Sequence, residues 1–216
     1  MLFRSEEGIV ISGQPGGHTN KKHFLENGLD RAQKALGKRQ SDKEGVTWMI
    51  YNDGSEKNGY DSKTLDEYKQ KAEALGINVK EVSNVSEISN YVNNKDGGNS
   101  RANDKITSFY YLGHAKPSML NPGYPNSNGA LDPAKFDASA FASGAWINVV
   151  GGCRTDVKTS WFGNNSVTNK FSKLVDKKST VHGSNVKVHY DGGVMSDSQL
   201  LKPNKGEIKT YKGKLK

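Results

Sequence analysis

Apolar positions along this chain gather into short runs of two different periods, separated by polar, glycine-bearing stretches. In residues 21–40, Phe24, Leu25, Leu29, Ala32 and Leu36 recur at helical spacing and predict a helix closed by Gly37. VTWMIYND, from Val46, is short, β-rich and apolar nearly throughout, the pattern of a strand buried on both faces of a parallel sheet. TLDEYKQKAEALG reads as an amphipathic helix, with Thr64 as N-cap, Glu67 at capping-box distance and Gly76 as terminator. INVKEVSNV predicts the second strand, SEISNYVNN a short helix entered at Ser86, and KITSFYYLGH the third strand. AKFDASAFASG reads as a short helix or turn before a fourth strand, AWINVVGGC. NSVTNKFSKLVDK predicts a helix, and STVHGS and NVKVHYDGG are two further β-like runs.

Strands alternating with helices imply an α/β domain: a mostly parallel central sheet flanked by helices in three layers. The polar linker KDGGNSRAND and a Gly/Pro/Asn-rich loop over 115–132 fall between elements of this unit. Residues 1–45 read as a lead-in with one helix and a short strand at Gly8–Ser12, 46–200 as the main domain, and 201–216 as a basic tail.

A chain of 216 residues buries enough surface to fold without covalent staples. One cysteine excludes an intrachain disulfide and a Cys-based zinc cluster, and no H-E-x-x-H spacing is present, so neither metal nor cofactor is expected. No apolar stretch approaches the ~20 residues needed to span a bilayer. The apolar patch Ile9–Ile11 is far short of a signal-peptide core, so no Sec signal is expected in this chain. The net charge of +8 raises the question of nucleic acid. Its densest clusters are Lys34, Lys38, Arg39 and Lys43, and the tail lysines 202, 205, 209, 212, 214 and 216. Neither shows the aromatic interleaving of a stacking platform, which argues for a solvated basic surface rather than a specific nucleic-acid platform.

Ligand sites in parallel sheets lie beyond the carboxyl ends of the strands. The third strand is followed by Gly113 and His114, and the fourth ends in Gly151, Gly152 and Cys153. A free thiol near pKa ~8.5 becomes a nucleophile when a histidine takes its proton. Cys153 and His114 are therefore the candidate catalytic pair. Gly151 and Gly152 would let the chain turn and leave room for a substrate backbone. Backbone N–H groups at Ala115 and around Gly152 and Cys153 are candidates for an oxyanion hole. His18, His23, His182 and His189 lack such a setting and read as surface or structural.

FYYLGHA followed by INVVGGCRTD resembles the His and Cys blocks of caspase-like (clan CD) cysteine peptidases, over roughly Val46–Tyr190. The caspase signature Q-A-C-[RQG]-G is matched at Cys153 and Arg154, while Ala115 stands where the family has glycine after the histidine. The resemblance implies a caspase-like three-layer sandwich and a thiol protease with a Cys–His dyad acting on protein or peptide substrates. Bacterial toxin and effector modules are among such proteins. The resemblance thus also implies a module of a larger exported polypeptide that acts in a target-cell cytosol. Such enzymes read a charged residue before the scissile bond. Asp156 is a candidate for binding lysine or arginine, and Arg154 or Arg101 for binding aspartate or glutamate. A catalytically inactive caspase-like binding module, or another thiol enzyme such as a deamidase or acyltransferase, remains as an alternative.

Overall fold

A computed structural model describes residues 5–39, 44–95, 101–126, 129–157, 165–190 and 193–215. Lys43, Trp161, Phe162, Lys216 and the middle of the linker before the third expected strand lie outside them. In chain order the elements are β1 (Ser5–Ser12), α1 (His23–Gly37), β2 (Gly45–Tyr51), α2 (Ser62–Glu73), β3 (Asn78–Val82), α3 (Val85–Asn94) and β4 (Asp104–Gly113). There follow β5 (Ala115–Lys116), β6 (Met119–Leu120), β7 (Phe141–Gly152), α4 (Val167–Leu174), β8 (Thr180–Ser184), α5 (Asp197–Leu201) and β9 (Ile208–Lys212).

Seven strands form one sheet in the order β3-β2-β1-β4-β7-β8-β9, parallel except for the last pair. Alternate side chains of each inner strand feed opposite faces. Val10, Trp48, Ile50 and Leu112 pack with Leu25 and Ala32 of α1 and Leu65 and Tyr68 of α2. Ile9, Met49, Phe109 and Ile147 pack with Ile88 of α3 and Phe171 of α4. Burial on both faces is why these strands carry nearly continuous apolar runs. The α/β class with a mostly parallel, helix-flanked sheet is as expected.

The differences lie at the ends and between elements. The lead-in supplies β1, which runs between β2 and β4 in the middle of the sheet. The expected boundary at residue 46 thus falls inside β2, not between two units. Within the tail, Ile208–Lys212 forms the antiparallel edge strand β9, whose lysines protect an edge against further pairing. Residues 185–190 form no strand; β9 occupies the free edge of β8, and the backbone of 185–190 is tied point by point, Arg154 N to Val186 O at 2.8 Å and His189 N to Leu200 O at 3.0 Å. Asp61, not Thr64, caps α2, accepting from Thr64 N at 2.8 Å. Asn84 caps α3, which begins at Val85, one residue before the expected entry at Ser86. Two 3-10 turns precede β7, which starts at Phe141. Helix α5 is fastened to α1: Arg31 pairs with Asp197 at 2.8 Å and donates to Met195 O at 2.9 Å, and Asn27 accepts from Met195 N at 2.8 Å.

One buried polar network crosses the base of the sheet. Arg101 has no exposed side chain and pairs with Glu7 of β1 at 2.6 Å. It also donates to Tyr91 O at the end of α3, at 2.8 and 3.1 Å. The other Glu7 oxygen accepts from Tyr91 and Thr47 hydroxyls, each at 2.6 Å. Removing one partner strands the other charge in the interior, which costs about 3–5 kcal/mol. Arg101→Met should therefore lower Tm by on the order of 10 °C, and adding Glu7→Gln should restore part of the loss. Calorimetry of the two variants measures this; equal Tm for Arg101→Met and the parent would show that the pair carries no net stability.

Candidate active site

Strand order reverses beside β1. The chain steps outward from β1 to β3, then returns to lay β4 on the other side of β1. The loops leaving β1 and β4 diverge there, which makes a crevice at the carboxyl ends of the strands. A cavity of about 620 Å³ occupies this place. His18 and Phe24, after β1, form one part of its wall. His114 and Ala115, after β4, form another, and Cys153 and Arg154, after β7, a third. Residues 187–190 close it.

His114 follows directly on β4. The buried Tyr111 hydroxyl donates to the His114 carbonyl and accepts from Asn121 N at 3.1 Å, so the backbone leaving the strand is fixed. The short β5–β6 ladder, Ala115 against Leu120, folds the next residues back. The imidazole meets the edge of Phe24 at 5.5 Å, stacks on His18 at 4.9 Å and leans on Tyr124 at 4.3 Å. Its Nε2 lies 3.3 Å from Pro15 O. A carbonyl only accepts, so Nε2 carries the proton and Nδ1 keeps its lone pair. Burial lowers the pKa of His114 to about 4, and the neighbouring His18 adds to the effect.

Cys153 is half-buried at the turn after β7, with Sγ 3.9 Å from Val188 O. Burial pushes the thiol pKa up, opposed by Lys187 and Arg154. Among the described residues no hydrogen bond joins Cys153 Sγ to His114. The pair shares one cavity as a neutral thiol and a neutral imidazole.

The two glycines before Cys153 serve close packing. A Cβ at Gly151 would stand 2.6 Å from Tyr111 O, and one at Gly152 2.9 Å from the Ala115 Cβ. Tyr190 fixes the same turn by donating to Gly151 O at 2.7 Å. Ala115 lines the cavity; Gly152, expected beside it as an oxyanion residue, is a buried strand residue opposite Gly113 and not part of the wall. Asp156 is also off the wall. Its carboxylate accepts from Tyr211 OH at 2.7 Å and from Thr168, in the buried layer under β8 and β9. Arg101 is locked to Glu7 at the opposite end of the sheet from the crevice. Arg154 alone of the three specificity candidates reaches the cavity.

His18 and His189, which read as surface or structural, are exposed and also line the cavity, while His182 lies apart against Trp146. His23 is buried against Phe24 and Tyr190, and burial lowers its pKa to about 4. The signal for His18 was available: once Gly8–Ser12 is a central strand, GQPGGH leaves its carboxyl end. Tyr111 and Tyr190 carry no such signal, because their roles depend on distant backbone. Among the described residues no group of three or more His, Cys, Asp or Glu side chains is placed to hold a metal ion, and no helix is long and apolar enough to cross a membrane. Comparison with protein families, curated proteins and solved structures finds no match to this chain.

His23 and His114 stay neutral in the folded chain down to about pH 4, whereas the unfolded imidazoles titrate near 6.5. Between these values the unfolded state binds more protons, so stability falls as pH falls. The slope is about 1.4 kcal/mol per pH unit for each imidazole. Urea unfolding from pH 7 to 4.5 should show it, and His23→Phe should remove about one proton's share. An unchanged slope in that variant would mean that His23 is not held neutral.

Proposed function

We propose that the chain is a cysteine endopeptidase with a caspase-like arrangement, Cys153 acting as nucleophile and His114 as general base and acid. The observation that carries this reading is that both side chains leave the ends of adjacent parallel strands into one cavity at the switch point of the sheet. The order His then Cys, each after an apolar strand, is that of the caspase-like peptidases which the sequence resembles.

The chemistry follows from the resting protonation states. A peptide in the cavity displaces water and brings its carbonyl carbon to Sγ. The Cys153 proton passes to the free Nδ1 of His114 as the S–C bond forms and the carbonyl π electrons move to oxygen. Backbone N–H groups near Ala115 and Cys153 are the candidates to receive that oxyanion. His114 then returns the proton to the departing amine as the C–N bond breaks. Water hydrolyses the thioester, giving one proton to His114, and the thiol is restored as sulfur leaves. Desolvation favours the neutral pair at rest, so the proton moves only with substrate in place. A second reading has one observation in its favour: a resting thiol directed at Val188 O and not bonded to His114 also suits an inactive caspase-like binding module.

Cys153→Ala should abolish peptide cleavage with the fold kept, since one small side chain replaces another. His114→Gln should lower turnover by about 10²–10⁴. Alkylation of Cys153 by iodoacetamide should rise with pH through the alkaline range with no plateau near neutrality, and should change little in His114→Gln. Cleavage by a folded Cys153→Ala protein would overturn the mechanism. A neutral-pH plateau lost on removing His114 would show a preformed ion pair instead. An active site that no peptidyl electrophile labels would leave the binding module.

A further inference from the structure

We propose that the sheet face around Trp146 binds single-stranded nucleic acid, one base stacking on the indole and lysines on either side taking the phosphates. The site lies roughly 20 Å along β7 from Cys153 and does not rest on the peptidase reading. Val150, Asn148 and Trp146 alternate along one face of β7. Leu200 and Leu201 of α5 cover Val150, and Asp197 of α5 accepts from Asn148 Nδ2 at 2.7 Å. Trp146 lies one step beyond this helix and is left 41% exposed. Exposed Trp is enriched where a partner covers it. In register with Trp146 across the sheet stand Ser108 of β4, Thr180 of β8 and, next on β9, Lys212. His182 lies against the indole at 4.1 Å. Two recesses, of about 270 and 220 Å³, flank the ring and share Lys38, Tyr110 and Trp146 as wall.

Charge decides what the ring receives. Lys38 Nζ sits 5.9 Å from the indole centroid, a cation–π contact. On the other side Lys212 reaches Thr180 Oγ1 at 3.1 Å, and Lys177 and Lys178 stand exposed in the turn that enters β8. None of these four lysines is in an ion pair among the described residues. Lys34 and Arg31 line the second recess as partners of Asp30 and Asp197. The carboxylates Glu6 and Glu44 line the first recess at the amino ends of β1 and β2, so a polyanion passes from α1 over Trp146 to β9 and keeps off that end. Neither basic cluster of the sequence makes a stacking platform alone. The α1 cluster has no ring, and Tyr211 of the tail turns its hydroxyl to Asp156 on the opposite face of the sheet. Folding sets Trp146 of β7 between Lys38 of one cluster and Lys212 of the other, which completes the combination of stacking ring and basic track in space. A ring seated between a helix and a sheet is reached by an unstacked base, so a single strand fits and a duplex does not. The arriving base displaces the Lys38 ammonium from the indole and leaves it for the adjoining phosphate.

Fluorescence anisotropy with labelled oligo(dT) and oligo(U) tests this at low salt, with a duplex of the same length as control. At least one of the two single strands should bind, and more tightly than the duplex. Trp146→Ala should weaken that binding by about tenfold or more. It should also remove most of the quenching of tryptophan fluorescence that the oligonucleotide causes in the parent. Lys38→Gln/Lys212→Gln, which keeps the ring, should lower the slope of log affinity against log salt by about 0.7 for each lysine lost. All three side chains are exposed, so thermal melting of the variants should match the parent and show that the fold is kept. Equal affinity in Trp146→Ala, tighter binding of the duplex, or an unchanged salt slope in the lysine variant overturns the proposal. So does a parent that dimerises through this face, loses the dimer in Trp146→Ala and binds no oligonucleotide, since the occupant is then a second copy of the chain.

Discussion

The buried pair of Glu7 and Arg101 decides where the sheet is closed and where it can open. Glu7 lies in β1, and Arg101 lies just ahead of β4. Their contact, with the Tyr91 carbonyl and the Thr47 hydroxyl, gathers β1, β2, α3 and the entrance to β4 into one dry knot. Charges in such a place are tolerated because each carboxylate oxygen of Glu7 and each guanidinium nitrogen of Arg101 has a hydrogen-bond partner. With β1 and β4 clamped at their amino ends, the loops at their carboxyl ends are free to part, and the cavity forms between them.

At that open end desolvation wins over ion pairing. The Cys153 thiol is pushed up and the His114 imidazole down to about 4, so each is stabilised in its neutral form. A thiolate–imidazolium pair there would need an attraction larger than the loss of hydration, and the two groups share no hydrogen bond at rest. The wall around this neutral pair carries Lys116, Arg154 and Lys187.

Much of this was legible in the residues. VTWMIY gives β2 because every position is apolar or pairs within a two-sided sheet, and the strand-end rule was enough to bring Cys153 and His114 to one crevice. β1 was only half legible. Glu7 breaks its apolar run, and the residue that neutralises it lies 94 positions away. Missing the full strand hid the sheet's centre and, with it, His18. β9 was illegible for a different reason: IKTYK is an exposed edge with no buried face to leave a pattern. Asp156 sits in a polar stretch that reads as loop, and its partners Thr168 and Tyr211 come from a helix and a strand that follow much later.

The attachment of α5 to α1 gives the crevice a mechanical character. Phe24 and His23, at the start of α1, touch Tyr190 at 4.9 and 5.1 Å. A few residues further along both segments, Asn27 and Arg31 grip Met195 and Asp197. The two walls flanking the thiol on this side are therefore riveted to one helix. Their separation cannot be adjusted locally; it changes only as α1 slides over the sheet, which Trp48 resists by donating to Ser12, itself bonded to Phe24 O. The width of the crevice on this side is thus set by how α1 packs on the sheet and not by the turn that carries the sulfur.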